Sequence, residues 1–271
     1  MTNYNILAGL PEDDYHALPQ IGSSTVKDMS VSPAYYIQQK LAREGKDPSP
    51  AFAIGSMFHQ AILEPERVNM FIATPEGLDR RTKEGKQIWA EFQEQSEGRT
   101  IMKKEDYNNC RGMIESFKKT PAYERMFKGA VDTEVSIVGP DKKCRFDLLK
   151  ERERGYIAYD LKTTEELPQD TNAWQRLFLK WKYHIQHAWY VDVAKEAGIE
   201  ISYFHFAVVS KKPPYDYAVV ILSNDFVDYG RIEADTAYDL YLSCKKDNHW
   251  PGKFEMSGSF SQQIELPGWV K

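Results

Sequence analysis

The stretch from Lys143 to Thr164 constrains the fold of this chain most, because two apolar runs flank a short charged turn. The two runs have the length and residue types of β-strands, so the stretch predicts a β-hairpin. Side chains alternate between the faces of a strand, so Asp160 and Lys162 point to one face and Leu161 to the other. If the two strands pair, Asp147 is brought against Asp160.

This hairpin would gather two carboxylates and an ammonium on one surface. Two like charges so close together repel each other unless a cation bridges them. The alternative is an ordinary surface hairpin with solvated charges. Apolar residues flank each acid on both sides, in the segments R-F-D-L-L and I-A-Y-D-L, and this frame favours a functional cluster.

Composition indicates a soluble globular protein. The 271 residues are 42% hydrophobic and can bury one substantial core. The longest uncharged run, residues 48–63, is too short and polar for a membrane span, and no secretory signal is visible. Three widely spaced cysteines, Cys110, Cys144 and Cys244, predict free thiols in a reducing cytoplasm. The net charge of −5 argues against a broadly basic nucleic-acid-binding surface but allows a local basic channel.

We expect a single domain, with a mainly helical part over residues 1–130, an α/β core over 131–248 and a C-terminal tail over 249–271. The first twenty residues lack a clear period and predict an irregular lead-in, and the segment from Gly45 to Pro50 predicts a linker. Residues 51–65 predict a helix that carries His59 among apolar residues. A histidine in that setting is either a packing residue or a ligand.

In the core, residues 131–138 alternate as a strand, and residues 170–197 predict one long helix. Glu134 on that strand is either an outer-shell carboxylate or, as we expect, an edge-strand glutamate. Gln186 and Tyr190 are four residues apart and therefore share a helical face. His184 and His187 lack a companion glutamate motif, so we interpret them as one surface and one packing residue. A strand pair and a further helix follow, which predicts an α/β arrangement around a small mixed sheet.

Four short motifs occur in a recognisable order: G-S-M-F-H, R-F-D, D-L-K and Q-x-x-x-Y. With them the chain resembles the PD-(D/E)xK nuclease superfamily, in particular its RecB-like branch and the RecE-type exodeoxyribonuclease VIII domain of phages and prophages. The opening Y-H-A-L-P followed by I-G-S-S, the H-Q-A-I-L-E-P helix and the closing L-P-G-W are also similar. The resemblance implies a restriction-endonuclease-like core with a small mixed sheet flanked by helices. One departure is Asp160, where many members of the superfamily carry glutamate.

The resemblance also implies the roles of individual residues. The implied catalytic residues are Asp147, Asp160 and Lys162. The implied ligands of a divalent ion are His59, Asp147, Asp160 and the carbonyl of Leu161. The implied DNA-positioning residues are Gln186, Tyr190, Thr163 and Lys182, although Thr163 is equally interpreted as a strand-end cap and Lys182 as an ordinary exposed lysine. Mg²⁺ prefers oxygen ligands, and a histidine ligand would let Mn²⁺ substitute for it.

The function implied by the resemblance is a Mg²⁺-dependent exodeoxyribonuclease that degrades linear double-stranded DNA from its 5′ end and leaves 3′ single strands for recombination. Relatives of this type form homo-oligomeric rings on DNA ends and work with a single-strand annealing protein. One alternative is a single-strand- or structure-specific DNase of the Cas4 or AddB kind, which often carries an iron–sulfur cluster that three poorly spaced cysteines do not supply. Another is a catalytically inactive DNA-binding module. The expected location is the cytoplasm, that of the bacterial host if a phage encodes the protein.

Overall fold

The computed structural model describes residues 4–43, 49–258, 261 and 263–265. The strands are β1 (Asn5–Ala8), β2 (Phe71–Ala73), β3 (Thr100–Met102), β4 (Asp132–Val138), β5 (Lys143–Arg152), β6 (Gly155–Thr164), β7 (Ile201–Ser210) and β8 (Tyr217–Val220). The helices are α1 (Glu12–Ala17), α2 (Ser23–Met29), α3 (Pro33–Arg43), α4 (Pro50–Leu63), α5 (Lys83–Gln95), α6 (Lys104–Lys118), α7 (Pro121–Phe127), α8 (Thr171–Lys180), α9 (Tyr183–Glu196), α10 (Asn224–Asp247) and α11 (Lys253–Met256), with a 3₁₀ helix over Pro65–Met70.

A six-stranded sheet in the order β1-β4-β5-β6-β7-β8 forms the centre of the fold. Neighbouring strands are antiparallel except β6 and β7, which are parallel and are joined through α8 and α9. A parallel pair needs such a crossover because a tight turn can join only antiparallel strands. The strands β2 and β3 form a separate parallel pair. The sheet is therefore mixed and flanked by helices, as predicted.

Helices cover both faces of the sheet and enclose two apolar cores. On one face, α2, α9 and α10 pack around Phe146, Trp189 and Phe206. On the other face, α4, α6 and α7 pack around Phe58 and Phe117. The sheet lies between these layers and separates the two cores.

The helix predicted over residues 51–65 is observed as α4. Pro50 occupies the first turn, where its missing N–H costs nothing, and the Ser49 side chain accepts a hydrogen bond from the Phe52 N–H. The helix ends at Leu63, shortly before Pro65. Its buried residues recur at helical spacing, at Ala53, Ile54, Met57, Phe58, Ala61 and Ile62. His59 follows this apolar stripe and is only partly buried, so it can reach the edge of the core.

Two predictions about the strands and the N-terminus are wrong. The first twenty residues contain β1 and α1 rather than an irregular lead-in, and β1 pairs with β4. The strand that carries Glu134 is therefore an interior strand, not an edge strand. All four residues of β1 are exposed, so its side chains show no alternation of burial. Backbone hydrogen bonds to a strand more than 120 residues away define it.

The single long helix predicted over residues 170–197 is also wrong. It is two helices, α8 and α9, separated at Trp181 and Lys182, and Lys182 has a left-handed backbone with φ of 53°. Both histidines of α9 are buried, so the predicted surface position is wrong as well. His184 Nε2 lies 2.6 Å from Glu233 Oε2, and the His187 ring packs against Phe204.

Several other expectations concern the ends of the chain and the cysteines. The closing L-P-G-W and most of the predicted linker before Pro50 lie outside the described residues. All three cysteines are free and buried. Within residues 4–43 and 49–258, no helix combines the length and hydropathy needed to cross a bilayer.

Candidate active site

A cleft of about 520 Å³ opens between α4, the start of α9 and the strands β4, β5 and β6. Its lining includes His59, Asp147 and Lys162. These three residues come from a helix and two strands that are distant in the sequence. Gln186 and Tyr190 also line it, so the cleft brings together residues from all four motifs described above.

The cleft begins where β5 and β6 stop pairing. Their ladder reaches Leu148 opposite Tyr159, and the next contact is the Leu161 N–H, which donates to Asp147 Oδ2 at 2.6 Å. The carboxylate thus replaces the backbone partner that Leu161 would otherwise have on β5. The Leu161 carbonyl points to the same side of β6 as its N–H, and it too has no ladder partner on β5.

His59 completes this arrangement from α4. Its Nε2 lies 3.0 Å from the Leu161 carbonyl oxygen and 3.4 Å from Asp147 Oδ2. A ring nitrogen so close to a carbonyl oxygen carries the proton and donates it. Three of the four implied metal ligands, namely His59, Asp147 and the Leu161 carbonyl, are therefore adjacent.

The protonation states of Asp147 and His59 depend on each other. Burial raises the pKa of Asp147 to about 7, and Asp160 adds to that rise while His59 opposes it. Burial would lower the pKa of His59, but Asp147 and the Leu161 carbonyl outweigh it, so the pKa of His59 is raised. A buried carboxylate that resists ionisation is stabilised in its charged form by a cation placed beside it.

Glu134 joins the cluster, in contrast to the edge-strand role expected for it. The pairs Thr133–Leu148 and Val135–Phe146 place Glu134 opposite Asp147, and potential ligand atoms of His59, Glu134 and Asp147 all lie within 4.8 Å of one another. The signal available in the sequence was its position on the strand that precedes the hairpin. Only the pairing register shows that it faces Asp147.

The backbone and the side chain of Glu134 are both constrained. Its φ of 53° lies in the left-handed region, which costs a non-glycine residue roughly 1–2 kcal/mol. The buried Arg145 holds the carboxylate, with Nε 2.5 Å from Glu134 Oε2. Burial still raises the pKa of Glu134 although Arg145 opposes the rise. The surrounding structure thus holds an unfavourable backbone conformation in place at the cleft.

Asp160 lies beneath the cleft rather than on its surface, with 2% of its area exposed. Its Oδ1 accepts a hydrogen bond of 2.6 Å from Gln186 Nε2, and its Oδ2 is ion-paired with Lys162. Asp160 is not part of the three-residue cluster formed by His59, Glu134 and Asp147. Beyond the Lys162 ammonium, its Oδ2 has no hydrogen-bond partner among the described residues, so this buried oxygen keeps some acceptor capacity.

Lys162 interacts electrostatically with both Asp160 and Asp147. Burial would lower its pKa, but Asp160 and Asp147 outweigh burial and the pKa of Lys162 is raised. The ammonium form, which donates hydrogen bonds and carries positive charge, is therefore favoured by the protein alone. This differs from the depressed pKa that a lysine needs to act as a base.

The four implied DNA-positioning residues have different surroundings. Tyr190 and Thr163 line the cleft, and Gln186 lies at its base between Asp160 and Lys27. Lys182, at the start of α9, is not among the residues that line the cleft. Three of the four thus line the cleft, and Lys182 does not.

Lys27 is a residue of the cleft that the sequence did not reveal. Its Nζ donates to Gln186 Oε1 at 2.8 Å and lies 5.4 Å from the centre of the Tyr183 ring. Burial and the neighbouring Lys162 lower the pKa of Lys27 to about 7, and the amine carries N–H donors in either protonation state. Lys27 follows the I-G-S-S segment but belongs to none of the four ordered motifs, so only the tertiary structure connects its side chain with the site.

Comparison with known families agrees with this geometry. A family profile described as "PDDEXK-like domain of unknown function (DUF3799)" matches residues 22–262. The chain belongs to this family. In this PDDEXK-like chain, the acid–x–lysine signature is D-L-K, with Asp160 and Lys162 on β6.

The solved structures include one with a similar fold. The crystal structure of a "putative exonuclease" from Eubacterium rectale superimposes with a TM-score of 0.59 and 12% identity, covering 95% of this chain and 96% of that chain. At this level of identity the similarity shows the PDDEXK-like fold alone. A comparison with curated proteins gives no match.

PDDEXK nucleases typically use divalent metal ions, and the residues of the cleft fit one. His59, Glu134 and Asp147 offer an imidazole nitrogen and two carboxylates, and the Leu161 carbonyl oxygen lies beside them. Carboxylate and carbonyl oxygens are the preferred ligands of Mg²⁺ and Mn²⁺, and an added imidazole is compatible with Mn²⁺.

Proposed function

We propose that this PDDEXK-like protein is a metal-dependent exodeoxyribonuclease that hydrolyses linear double-stranded DNA in the 5′-to-3′ direction and leaves 3′ single strands for recombination. The observation that carries the proposal is the convergence of His59, Asp147 and the Leu161 carbonyl beside the Lys162 ammonium in one cleft. We propose Mg²⁺ as the natural ion and Mn²⁺ as a substitute.

Hydrolysis of a phosphodiester requires a nucleophilic water, neutralisation of charge on the non-bridging oxygens and stabilisation of the leaving 3′-oxygen. A bound divalent ion supplies Lewis acidity for these needs. In our proposal His59, Asp147, Glu134, Asp160 and the Leu161 carbonyl hold that ion. The oxygen of water would bond to phosphorus and release a proton to solvent, the bond to the 3′-oxygen would break, and the leaving 3′-oxygen would take up a proton from solvent.

Lys162 and the residues of α9 have separate proposed roles. Lys162 lines the cleft and is ion-paired with Asp160, which favours a role as donor, in which its ammonium orients the attacking water and neutralises charge on the phosphate. Tyr190 and Thr163 line the cleft where the DNA backbone would lie, and we propose that they position it. We propose that Lys182 contacts a more distant phosphate and that Gln186 orients Asp160.

The test is a digestion time course on end-labelled linear duplex and on closed circular DNA, with Mg²⁺, with Mn²⁺ and with chelator. Wild-type protein should degrade the linear duplex progressively from the 5′ end in either metal and leave closed circles intact. Asp147→Ala and Lys162→Met should each lower the rate at least ~100-fold, because each removes a group that acts on the reacting atoms. Lys195→Met, an exposed lysine on α9, is the matched control and should be unchanged.

The outcomes of this assay separate the competing functions. Nicking of circles or preferential cutting of single strands would support a structure-specific DNase of the Cas4 or AddB kind. Binding without cleavage in any metal would support an inactive DNA-binding module. Full activity in Asp147→Ala would refute the site itself.

The proposed partners are double-stranded DNA ends, a single-strand annealing protein and further copies of this chain in a ring. A closed ring around DNA would keep the enzyme on its substrate through many cycles of cleavage. Light scattering of the purified protein should give a mass that is a multiple of 31.3 kDa. A monomer at every concentration tested would refute the ring.

A further inference from the structure

Lys27 reaches the site from α2, a helix outside the four ordered motifs. It lies on α2, which packs against α9 through its buried neighbours Val26 and Met29. Its side chain lines the cleft, and its Nζ donates to Gln186 Oε1 at 2.8 Å. Lys27 and Gln186 are 159 residues apart in the sequence, so this contact exists only in the folded protein.

Gln186 links Lys27 to Asp160 through hydrogen bonds at the two ends of its amide. Its amide accepts from Lys27 through Oε1 and donates to Asp160 Oδ1 through Nε2, at 2.6 Å. The carboxylate can only accept hydrogen bonds, so the amide must present its N–H₂ to Asp160 and its oxygen to Lys27. The three side chains form one directed chain of hydrogen bonds that ends on the acid of the D-L-K motif.

Because Gln186 and Asp160 are buried, loss of the Lys27 donor would disturb their hydrogen bond. Gln186 is 6% exposed and Asp160 is 2% exposed, so water has little access to either. Without a donor at Lys27, Gln186 Oε1 would be buried without a partner, which is costly. The amide would then rotate toward solvent and withdraw Nε2 from Asp160.

We propose that Lys27 is a positioning residue: it holds the Gln186 amide in place and, through it, the orientation of Asp160 toward a bound divalent ion. The catalytic consequence rests on the function proposed above. The geometry of the three side chains does not depend on it.

Two other roles for Lys27 make different predictions. A lysine that only adds positive charge would oppose the binding of a metal ion, so its removal would tighten metal binding. A lysine that contacts a DNA phosphate directly would change KM and leave metal affinity unaltered. A positioning residue instead weakens metal binding and lowers kcat when it is removed.

The experiment is a double-mutant cycle with Lys27→Met and Gln186→Leu, measured by Mn²⁺ titration and by kcat and KM on linear duplex. Lys27→Met should weaken Mn²⁺ binding and lower kcat by ~10-fold or more, with KM nearly unchanged, as is usual for residues that orient a metal ligand. In the Gln186→Leu background the same substitution should have no further effect. Lys27→Arg, which keeps a donor, should recover most of the loss, and exposed Lys40→Met is the matched control.

A third readout needs neither metal nor cleavage. In protein labelled with ¹⁵N-glutamine, the side-chain amide resonance that disappears in Gln186→Leu belongs to Gln186. That resonance should exchange slowly with solvent in wild type and in Lys27→Arg, and rapidly in Lys27→Met. If wild-type protein neither binds Mn²⁺ nor cleaves DNA, the proposed function fails, while the amide resonance still tests the role of Lys27.

Several results would overturn the inference. Equal losses from Lys27→Met in both backgrounds would show that it does not act through Gln186. Tighter Mn²⁺ binding would show a purely electrostatic role, and a change confined to KM would show a direct DNA contact. An unchanged exchange rate of the Gln186 amide in a folded Lys27→Met protein would refute the positioning role directly.

Discussion

The substitution Asp147→Asn should abolish cleavage and at the same time stabilise the metal-free protein. Asp147 lies in the cleft where burial raises its pKa from 3.8 to about 7. Asparagine is uncharged and nearly the same shape, and its oxygen can still accept the hydrogen bond from Leu161 N that Asp147 Oδ2 now accepts. The variant therefore removes the unfavourable buried charge and keeps the local contact.

The magnitude follows from the shift in pKa. Because the folded state holds the proton more tightly, ionisation of Asp147 destabilises the fold progressively as pH rises from 3.8 to about 7. The difference of roughly 3 pH units corresponds to about 4 kcal/mol at pH 8 and to less than half of that at pH 5, at 1.36 kcal/mol per unit. The free energy of unfolding of the variant minus that of wild type should thus grow by about 2–3 kcal/mol between these two pH values.

The assay is urea unfolding of both proteins near pH 5 and near pH 8 in chelator, repeated at pH 8 with Mn²⁺. The change between pH values is the informative quantity, because effects of the substitution that do not depend on pH cancel. Mn²⁺ at 100 times its dissociation constant should stabilise wild type by about 2.7 kcal/mol and the variant by far less. Asp132→Asn, an exposed acid on β4, is the control and should show neither effect.

Two results would refute this reasoning. A difference in unfolding free energy that stays constant or shrinks from pH 5 to pH 8 would show that Asp147 is not held in an unfavourable ionised state. Equal stabilisation of both proteins by Mn²⁺ would show that Asp147 is not a ligand.

Two further predictions concern the packing of α9. Burial lowers the pKa of His187 from 6.5 to about 4. Between these pH values the unfolded chain binds a proton at His187 that the folded chain does not bind. The free energy of unfolding should therefore fall by about 3 kcal/mol as pH drops from 6.5 to 4. His187→Leu should flatten this dependence in urea unfolding, and an unchanged slope would count against it. A Cβ at Gly230 would lie 2.3 Å from the backbone oxygen of His184, so Gly230→Ala should cost about 3 kcal/mol or more and lower Tm. Gly252→Ala, with open space around it, should stay within about 0.5 kcal/mol, and equal Tm values for the two variants would contradict this packing.

Much of the fold could be predicted because its signals are local. The two apolar runs of Lys143–Thr164 predicted the hairpin, and the helical spacing of residues 51–65 predicted α4 with His59 among its apolar residues. Pairing between distant segments could not be predicted in this way. The strand β1 has no buried side chains, and the break between α8 and α9 depends on a left-handed Lys182 that carries no glycine signal.

The residues of the candidate site also differ in whether local signals or distant contacts place them there. The order of the motifs, through the family they resemble, indicated His59, Asp147 and Lys162 as partners, although His59 and Leu161 are 102 residues apart. The sequence favours an edge-strand role for Glu134, because its place beside the metal ligands depends on lying opposite Asp147 in an interior strand. Asp160 was expected on the cleft surface, but its contacts with Gln186 and Lys162 hold it below.

The sequence by itself determined which residues share a strand or a helical face, because the periods of 2 and 3.6 residues are properties of the local backbone. It thereby determined that an acid and a lysine lie together on β6 and that an imidazole is carried on an apolar helix. Only the tertiary structure decided that β1 covers β4, that Glu134 faces Asp147 and that Lys27 supports Gln186. These contacts join segments far apart in the chain, and they arise from how the layers pack rather than from any local pattern.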